Sequence, residues 1–241
     1  MYKRQKQSNI IELLDELNSN PKFMGGAIAV PYKETIAEWL NGRIIKEAKR
    51  IGAVNCLYRN ENGELSGTNT DGEAAIKTFQ EIYGSVKGKS VIILGCGGAG
   101  KAVAAYFSEA VADSGTVTII SRKESNQEYK QKIGSQWMNW SSIDEELKKC
   151  DVLINCTSIG FGEQENRSPL SDNQIARLKP NTVVFDVIYQ PLETYLLKLS
   201  KKHNHHVVNG LAMNLEQAIL AFQYNKKIDI QVVRKVMEGA K

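Results

Sequence analysis

The chain has 241 residues, of which 42% are hydrophobic, 24% charged and 7% aromatic, proportions typical of globular proteins and not of disordered or fibrous ones. Its 31 basic and 27 acidic residues leave a formal charge of +4 without a basic stripe, which argues against nucleic acid as the main partner. No apolar run reaches the roughly 18 residues that a membrane span needs, and no signal-peptide core is present, so we expect a cytoplasmic protein without a membrane partner.

Residues 1–71 predict a small α/β lobe, which two helices within residues 211–241 return to complete. Apolar residues recur there with helical and strand periodicities, separated by turn-forming residues. The expected elements are helices at 9–17 and from about Glu34, strands at 27–30, 54–58 and 64–67, and terminal helices at 211–224 and 230–240.

Residues 72–210 predict a Rossmann-type domain, in which helices cover both faces of a doubly wound parallel sheet. β-branched runs alternate here with helical patterns long enough to be the crossover helices that parallel strands require. The expected strands are 90–94, 116–120, 152–155, 182–186 and 206–208, and the expected helices include 99–112 and 192–199. The predicted fold class is therefore α/β, with two lobes.

A glycine-rich segment joins the first strand of this domain to its helix. In a GxGxxG pattern at such a junction, Gly95 permits a tight turn, Gly97 lets the backbone approach a pyrophosphate, and Gly100 lets the helix lie close to the strand. The helix then begins near Gly98 and Ala99, and its unpaired N–H groups attract phosphates. The segment predicts dinucleotide binding, and a glycine-rich turn without a ligand is the alternative.

The next strand ends in Ser121, Arg122 and Lys123. In a Rossmann fold this point lies beside the adenosine ribose, where an acidic residue favours NAD. A guanidinium and an ammonium suit a 2′-phosphate instead, so we predict NADP as the cofactor. The acidic Glu124 nearby keeps NAD as a less favoured cofactor. The alternative to a ribose site is a solvated basic loop.

The cysteines and histidines predict no metal centre. The four cysteines lack CxxC spacing, and we expect Cys56, Cys96 and Cys156 to be buried, reduced thiols because each lies in or beside an apolar stretch. All three histidines fall within residues 203–206, with no cluster of other ligands in sequence. We interpret them as polar residues that lead into the expected strand at 206–208.

Six further segments, taken with the glycine loop and in the same order, resemble the shikimate dehydrogenase family. In the first lobe they are Val30-Pro31-Tyr32-Lys33, Ala53-Val54-Asn55 and Gly67-Thr68-Asn69-Thr70-Asp71. In the second they are Asn155-Cys156-Thr157-Ser158-Ile159-Gly160, Asp186-Val187-Ile188-Tyr189-Gln190-Pro191 and the spaced set Gly210, Met213, Gln217 and Ala218. The resemblance covers most of the chain.

The resemblance implies reversible, NADP-dependent reduction of 3-dehydroshikimate to shikimate, in the pathway to the aromatic amino acids. The residues it carries over are Lys33 and Asp71 as catalytic, Asn55, Tyr189 and Gln217 as substrate-binding, and Thr157 and Gly210 as cofactor-binding. Hydride delivery to a ketone builds an alkoxide, so a lysine paired with a carboxylate can supply the proton that the reaction needs. The plainer alternatives are a solvated charge for Lys33 and a helix cap for Asp71.

Two departures from the family pattern concern the substrate. The family's opening strand and Ser-x-Ser segment have no counterpart here, so we expect the front of the substrate lobe to be missing, naturally or through a truncated gene. Ala29 also replaces a threonine that helps to hold substrate. The alternatives are a dehydrogenase of quinate or another cyclic polyol acid, and a catalytically impaired dinucleotide-binding fragment. We expect a small-molecule partner and a monomer or homodimer.

Overall fold

A computed structural model of the chain describes residues 9–122, 133–226 and 229–239, which form two units. The first unit contains the described residues up to Thr70 and those from Ile219 onward, and the second runs from Asp71 to Ala218. Asp71 and residues 211–218, which the sequence analysis grouped with the first lobe, therefore lie in the second unit.

The helices and strands of the described residues have the following bounds in chain order. The strands are β1 (Gly25–Ala27), β2 (Cys56–Arg59), β3 (Leu65–Thr68), β4 (Ser90–Leu94), β5 (Thr116–Ser121), β6 (Gln136–Asn139), β7 (Val152–Asn155), β8 (Val183–Asp186) and β9 (His206–Val208). The α-helices are α1 (Ile10–Ser19), α2 (Lys33–Leu40), α3 (Lys46–Ile51), α4 (Asp71–Tyr83), α5 (Gly98–Val111), α6 (Ile143–Leu147), α7 (Asp172–Ile175), α8 (Tyr195–Lys202), α9 (Leu211–Lys226) and α10 (Ile230–Gly239).

The first unit is organised around a three-stranded antiparallel sheet in the order β1-β2-β3. Its core forms where α1 and α2 bury apolar side chains against the sheet, among them Leu14, Ile36 and Leu40. Burial of each such side chain contributes about 1.5–3 kcal/mol to folding. The helices and strands are short, so this unit depends on contacts between segments that are far apart in sequence.

Arg59 ties the end of α1 to the sheet. Its guanidinium donates to five main-chain carbonyl groups, those of Leu17, Asn18, Asn20, Phe23 and Gly63, at 2.8–3.1 Å. Nε and Nη1 donate to one carbonyl each, and the two N–H groups of Nη2 are shared among the other three. The ammonium of a lysine cannot supply such a planar fork of donors. One side chain therefore anchors both the α1 terminus and the β2–β3 turn.

The second unit is built on a six-stranded parallel sheet. The strands lie in the order β6-β5-β4-β7-β8-β9, so that the chain starts in the middle, winds to one edge and then returns to build the other half. This is the strand order of Rossmann dinucleotide-binding domains. The central strands are buried and rich in valine and isoleucine, as expected for a sheet covered on both faces. The predicted α/β class with a doubly wound sheet is confirmed.

Two of the cysteines differ from their predicted burial. Cys56 and Cys150 are buried, whereas Cys96 and Cys156 are partly exposed because they follow β4 and β7 at the edge of the sheet. Across the described ranges, no helix is both long enough and apolar enough to cross a membrane. Within those same ranges no three His, Cys, Asp or Glu side chains are grouped as metal ligands would be.

Candidate functional site

Three of the sequence-predicted segments meet inside the first unit. Lys33 is the first residue of α2, and its carbonyl oxygen accepts a hydrogen bond of 2.9 Å from the backbone N–H of Val54. The next residue, Asn55, is buried, and its amide bonds to Thr70 twice: Nδ2 donates to Oγ1 at 3.0 Å, and Oδ1 accepts from the backbone N–H at 2.9 Å. Residues 33, 55 and 70 are thus brought to one corner of the unit.

Further backbone bonds fix the same corner. The backbone N–H of Asn55 donates to the carbonyl of Thr68 at 3.1 Å, and its carbonyl accepts from Ile28 at 2.7 Å. Asn69 reaches back across the corner, since its Nδ2 donates to the carbonyl of Ala53 at 3.0 Å. Bonds between segments this distant hold the corner only when the whole unit is folded.

Asp71 follows Thr70 directly and begins α4 in the second unit. It is buried, at 6% exposure. Asp71 is the first residue of the helix, whereas a capping carboxylate belongs to the residue that precedes the first helical one. The following residue, Gly72, allows α4 to lie close to α5, because a Cβ there would be 2.3 Å from the carbonyl oxygen of Ala102.

The glycine loop after β4 has the geometry that the GxGxxG pattern predicts. Gly95 has a φ of +99°, which side chains rarely adopt, and a Cβ on it would lie 3.1 Å from Thr157. A Cβ on Gly100 would lie 2.2 Å from the Gly95 carbonyl oxygen, so the helix could not lie so close with any other residue. Gly97 differs, since no atom lies within 4 Å of where its Cβ would be.

This loop has the features that a pyrophosphate group requires. The carbonyl of Gly97 accepts the first hydrogen bond of α5, from Lys101 at 2.9 Å. The N–H groups of Gly98 and Ala99 come too early in the helix to have a carbonyl partner in it. A 14-residue helix also directs a partial positive charge to this end. Open space beside Gly97 and these donors together fit a dinucleotide phosphate.

The predicted ribose residues lie at the end of β5. Ser121 is buried, and its Oγ accepts a hydrogen bond of 2.8 Å from the indole Nε1 of Trp137 on the neighbouring strand. Arg122 follows it and is exposed. Lys123, predicted with them, lies outside the described residues.

A buried carboxylate that the sequence analysis did not select lies at the end of β8. The Oδ1 of Asp186 accepts hydrogen bonds of 3.1 Å from Asn155 Nδ2 and from the backbone N–H of Ile188, and its Oδ2 accepts one of 2.7 Å from Thr194 Oγ1. Burial raises the pKa of Asp186 to about 6, although these three bonds favour the ionised form. Its only sequence signal is its place at the start of the Asp186–Pro191 segment.

Asn155 extends this network to a predicted cofactor residue. Its Oδ1 accepts from both the backbone N–H and the hydroxyl of Thr157, at 3.0 and 2.7 Å. The same amide donates to Asp186, so one chain of hydrogen bonds shapes the loops after β7 and β8. Asn155 and Asp186 are positioning residues for these loops.

The three remaining predicted residues lie beyond the end of β8. Tyr189 is 43% exposed on the loop after that strand. Gln217 is partly buried on α9, where its Nε2 donates to the carbonyl of Asn214 at 3.0 Å. Gly210 is closely packed, since a Cβ there would lie 2.0 Å from the carbonyl oxygen of Val187, and this packing alone requires glycine.

Comparison with protein families and relatives identifies one matching family model and many similar proteins. The family model of the D-isomer specific 2-hydroxyacid dehydrogenase NAD binding domain matches residues 59–187, which contain most of the parallel sheet. A shikimate dehydrogenase (NADP(+)) of Caldanaerobacter subterraneus subsp. tengcongensis is 34% identical over 218 residues, 88% of this chain and 76% of the relative. The enzyme of the same name from Methanococcus maripaludis is 33% identical over 226 residues, 90% of this chain and 78% of the relative.

Solved structures agree with these matches. A crystal structure of shikimate dehydrogenase in complex with NADP+ has a TM-score of 0.81 and 29% identity, covering 98% of this chain and 83% of that one. A shikimate 5-dehydrogenase from Thermus thermophilus, in complex with NADP(H) and shikimate, has a TM-score of 0.78 and 26% identity, covering 98% and 86%. A ligand-free 5-ketofructose reductase of Gluconobacter has a TM-score of 0.74 and 29% identity, covering 98% and 85%.

The strand order, the glycine loop and the family model define an oxidoreductase with a Rossmann-type nucleotide-binding domain. The chain is also 33–34% identical to two shikimate dehydrogenases over more than three quarters of their length, which identifies its family within this class of oxidoreductases. The chain belongs to the shikimate dehydrogenase family, as the sequence resemblance predicted.

Proposed function

We propose that this protein catalyses the reversible, NADP-dependent reduction of 3-dehydroshikimate to shikimate. The observation that carries the proposal is the hydrogen-bonded corner of the first unit, in which the backbone of Lys33 and the side chains of Asn55 and Thr70 are tied together. Asp71 is the next residue of the chain. The names of the relatives, and the complex of the Thermus thermophilus enzyme with both molecules, support the same substrate and cofactor.

Lys33 has the chemistry for the proton transfer. When bound, the cofactor supplies the hydride that adds to the carbonyl carbon. Negative charge then develops on the carbonyl oxygen, so we assign Nζ of Lys33 as the donor of its proton, and as the acceptor in the reverse direction. We assign Asp71 as the carboxylate that serves the same reaction, because a lysine and a carboxylate together can donate and accept the proton that the reaction moves.

The substrate residues are assigned by the donors and acceptors that a polyhydroxylated acid ring needs. Asn55 offers an amide, Tyr189 a phenol and Gln217 a second amide. Hydroxyl groups left unpaired in a closed site weaken binding by about 1–3 kcal/mol each, so such a ring requires several partners. These three assignments belong to the proposal.

NADP is proposed over NAD because of the charge at the end of β5. Arg122 is exposed there and is followed in sequence by Lys123. A guanidinium can bind a 2′-phosphate through two parallel hydrogen bonds, whereas NAD has no phosphate at this position. The glycine loop serves both cofactors equally, so the preference depends on these cations.

A second candidate function is the reduction of another polyhydroxylated ketone. Ala29 is exposed in the first unit and presents only a methyl group where a threonine would offer a hydroxyl. The similarity to a 5-ketofructose reductase, at 29% identity over 98% of this chain, favours a ketone without the shikimate ring as the alternative. Quinate is the alternative among cyclic polyol acids.

The test is a comparison of substrates and cofactors with the purified chain. Shikimate and quinate are each offered with NADP and with NAD, and 5-ketofructose is offered with both reduced cofactors, while nicotinamide absorbance is followed. We expect turnover with shikimate and NADP to exceed every other combination. Turnover with quinate or 5-ketofructose alone would favour the second candidate. Cofactor binding without any turnover would contradict both candidates and leave a dinucleotide-binding protein.

A further inference from the structure

The second unit contains a cavity at the edge of the sheet where the parallel strands begin. Its volume is about 280 Å³, close to the lower end of small-molecule sites, and it is lined by the first residues of β7, β8 and β9 together with α4. The glycine loop lies at the opposite edge, where β4 ends. Ligands of open parallel sheets bind at that carboxyl edge, so this cavity is separate from the proposed active site.

One wall of the cavity is aromatic. Phe79 and Tyr83 of α4 have ring centroids 5.9 Å apart, and Tyr83 lies 5.5 Å from the ring of His206 at the start of β9. Phe79, Val152 and Val183 are at most 9% exposed, so the accessible ring surface belongs to Tyr83 and His206. The rings of Tyr83 and His206 favour a flat, ring-bearing ligand, because aromatic rings attract each other in offset and edge-to-face arrangements.

The charges at the cavity favour an anion. Asp151 is already bonded, since one oxygen accepts from the backbone N–H of Ser90 at 2.8 Å and the other from Nζ of Lys179 at 3.0 Å. Lys89 also lines the cavity and has an electrostatic interaction with Asp151, which lowers the pKa of that carboxyl. Among the described residues its ammonium makes no direct hydrogen bond or ion pair. Two lysines against one carboxylate leave one positive charge, and Lys89 is the cation placed to meet a ligand.

We propose that this cavity binds a small aromatic carboxylate, with its ring against Tyr83 and His206 and its carboxylate on Lys89. A cavity of about 280 Å³ holds one six-membered ring with one or two substituents. The inference goes beyond the proposed function, because it uses none of the residues assigned to the reaction.

The experiment is a titration of the full chain with benzoate, followed by the methyl NMR signals of its valines. We expect saturable shifts of the Val152 and Val183 methyl groups, which line the cavity. Benzyl alcohol keeps the planar ring but lacks the charge, and cyclohexanecarboxylate keeps the charge but lacks the planar ring. We expect each to bind at least about tenfold more weakly than benzoate.

Two pairs of variants locate the site. We expect Lys89→Gln and Tyr83→Leu each to weaken benzoate about tenfold, since one removes the cation and the other the central ring. Lys87→Gln and Ile82→Ala change exposed neighbours outside the lining and should leave the affinity unchanged. Thermal unfolding checks that each variant is folded. If Tyr83→Leu does not fold, Lys89→Gln still tests whether benzoate binds in this cavity, because residue 89 is exposed and its substitution should not disturb folding.

Three results would overturn the proposal. The first is no shift of the Val152 and Val183 methyl signals at saturating benzoate. The second is equal affinity for benzoate and either comparison compound. The third is equal affinity in Lys89→Gln and Lys87→Gln. Because the readout is binding, none of these results depends on dehydrogenase turnover.

Discussion

The two units fix their predicted functional residues in different ways. In the first unit, Asn55 bonds to Thr70, a residue 15 positions away, so the corner exists only once distant segments have met. In the second, the Oδ1 of Asn155 accepts from Thr157, two positions away, and glycines set the neighbouring loop. The comparison teaches that local sequence shapes the loop proposed for the cofactor, whereas tertiary structure assembles the corner proposed for the substrate.

The largest expected effect tests the chemistry assigned to the first unit. We expect Lys33→Ala to lower kcat by about 10²–10⁴-fold, the usual contribution of a general acid, and to change the affinity for NADP by less than about twofold. Steady-state kinetics and a direct cofactor titration measure the two quantities. Lys49→Ala, an exposed lysine in the last turn of α3, is the control. Equal losses of turnover and cofactor affinity would contradict the proposal that the first unit carries the chemistry and the second binds the cofactor.

The buried carboxylate of the second unit should make stability depend on pH. The pKa of Asp186 is about 6 in the folded protein against 3.8 ordinarily, so the folded state holds the proton more tightly. Its contribution is fully present below about pH 4 and is lost as pH rises through about 6, a change of about 3 kcal/mol in the free energy of unfolding. Asp186→Asn should remove this dependence, which urea unfolding at pH 4.5 and 7 measures.

A surface carboxylate supplies the control for that slope. Hydrogen bonds from Lys202 and His203 lower the pKa of Asp172 below its ordinary 3.8, so its contribution to stability is lost only as pH falls below about 4 and is constant between pH 4.5 and 7. Asp172→Asn should therefore leave the difference in unfolding free energy between pH 4.5 and 7 unchanged. If the free energy of unfolding changes with pH equally in Asp186→Asn and in the unmodified chain, burial does not disfavour ionisation of Asp186 in the folded protein.

A pair of glycines in the loop after β4 separates folding from cofactor binding. Gly100→Ala puts a methyl 2.2 Å from the Gly95 carbonyl oxygen, so we expect a loss of about 1–3 kcal/mol in stability. Gly97→Ala meets open space at an ordinary φ of −82°, so stability should change by less than about 0.5 kcal/mol while cofactor affinity falls about tenfold. Thermal unfolding and cofactor titration of both variants measure this. Unchanged affinity in Gly97→Ala would show that the phosphates lie elsewhere.

The smallest expected effect concerns the choice of cofactor. We expect Arg122→Asp to weaken NADP about tenfold and to leave NAD within about twofold, because only NADP has a phosphate for the guanidinium. Competitive titration with both cofactors measures the ratio, and Arg167→Asp, another exposed arginine of the second unit, is the control. An unchanged preference would contradict the ribose-site assignment.

The sequence predicted the parallel sheet well because its strands are continuous buried runs. The strand at 152–155 was predicted at the observed bounds, and 116–120 differs from β5 by one residue. Several short elements were missed, among them the helices α3, α6 and α7, which have only 6, 5 and 4 residues. The edge strand β6, which begins and ends with exposed polar residues, was missed as well. Short elements and partly exposed edges lack the periodicity on which such predictions depend.

The candidate site was predicted in its residue types but not in its contacts. The glycine pattern at 95–100 predicted a local loop geometry, because the positive φ of Gly95 and the contact of Gly100 with the Gly95 carbonyl both act within six residues. The bond between Asn155 and Asp186 depends instead on the pairing of β7 with β8, which places these residues side by side. No feature of the sequence near Asp186 indicates that its carboxylate is buried, since burial is a property of the assembled sheet.

The hydrogen bond between Trp137 and Ser121 gives the protein an internal optical reporter. The chain has three tryptophans, and the indole of Trp137 is bonded at 2.8 Å to the residue that precedes Arg122. Indole fluorescence responds to changes in its hydrogen bonding and in nearby charge. A nucleotide held by Arg122 should therefore change the emission of Trp137, so that affinity for cofactor is measured without a label, and Trp137→Phe identifies the source of the signal.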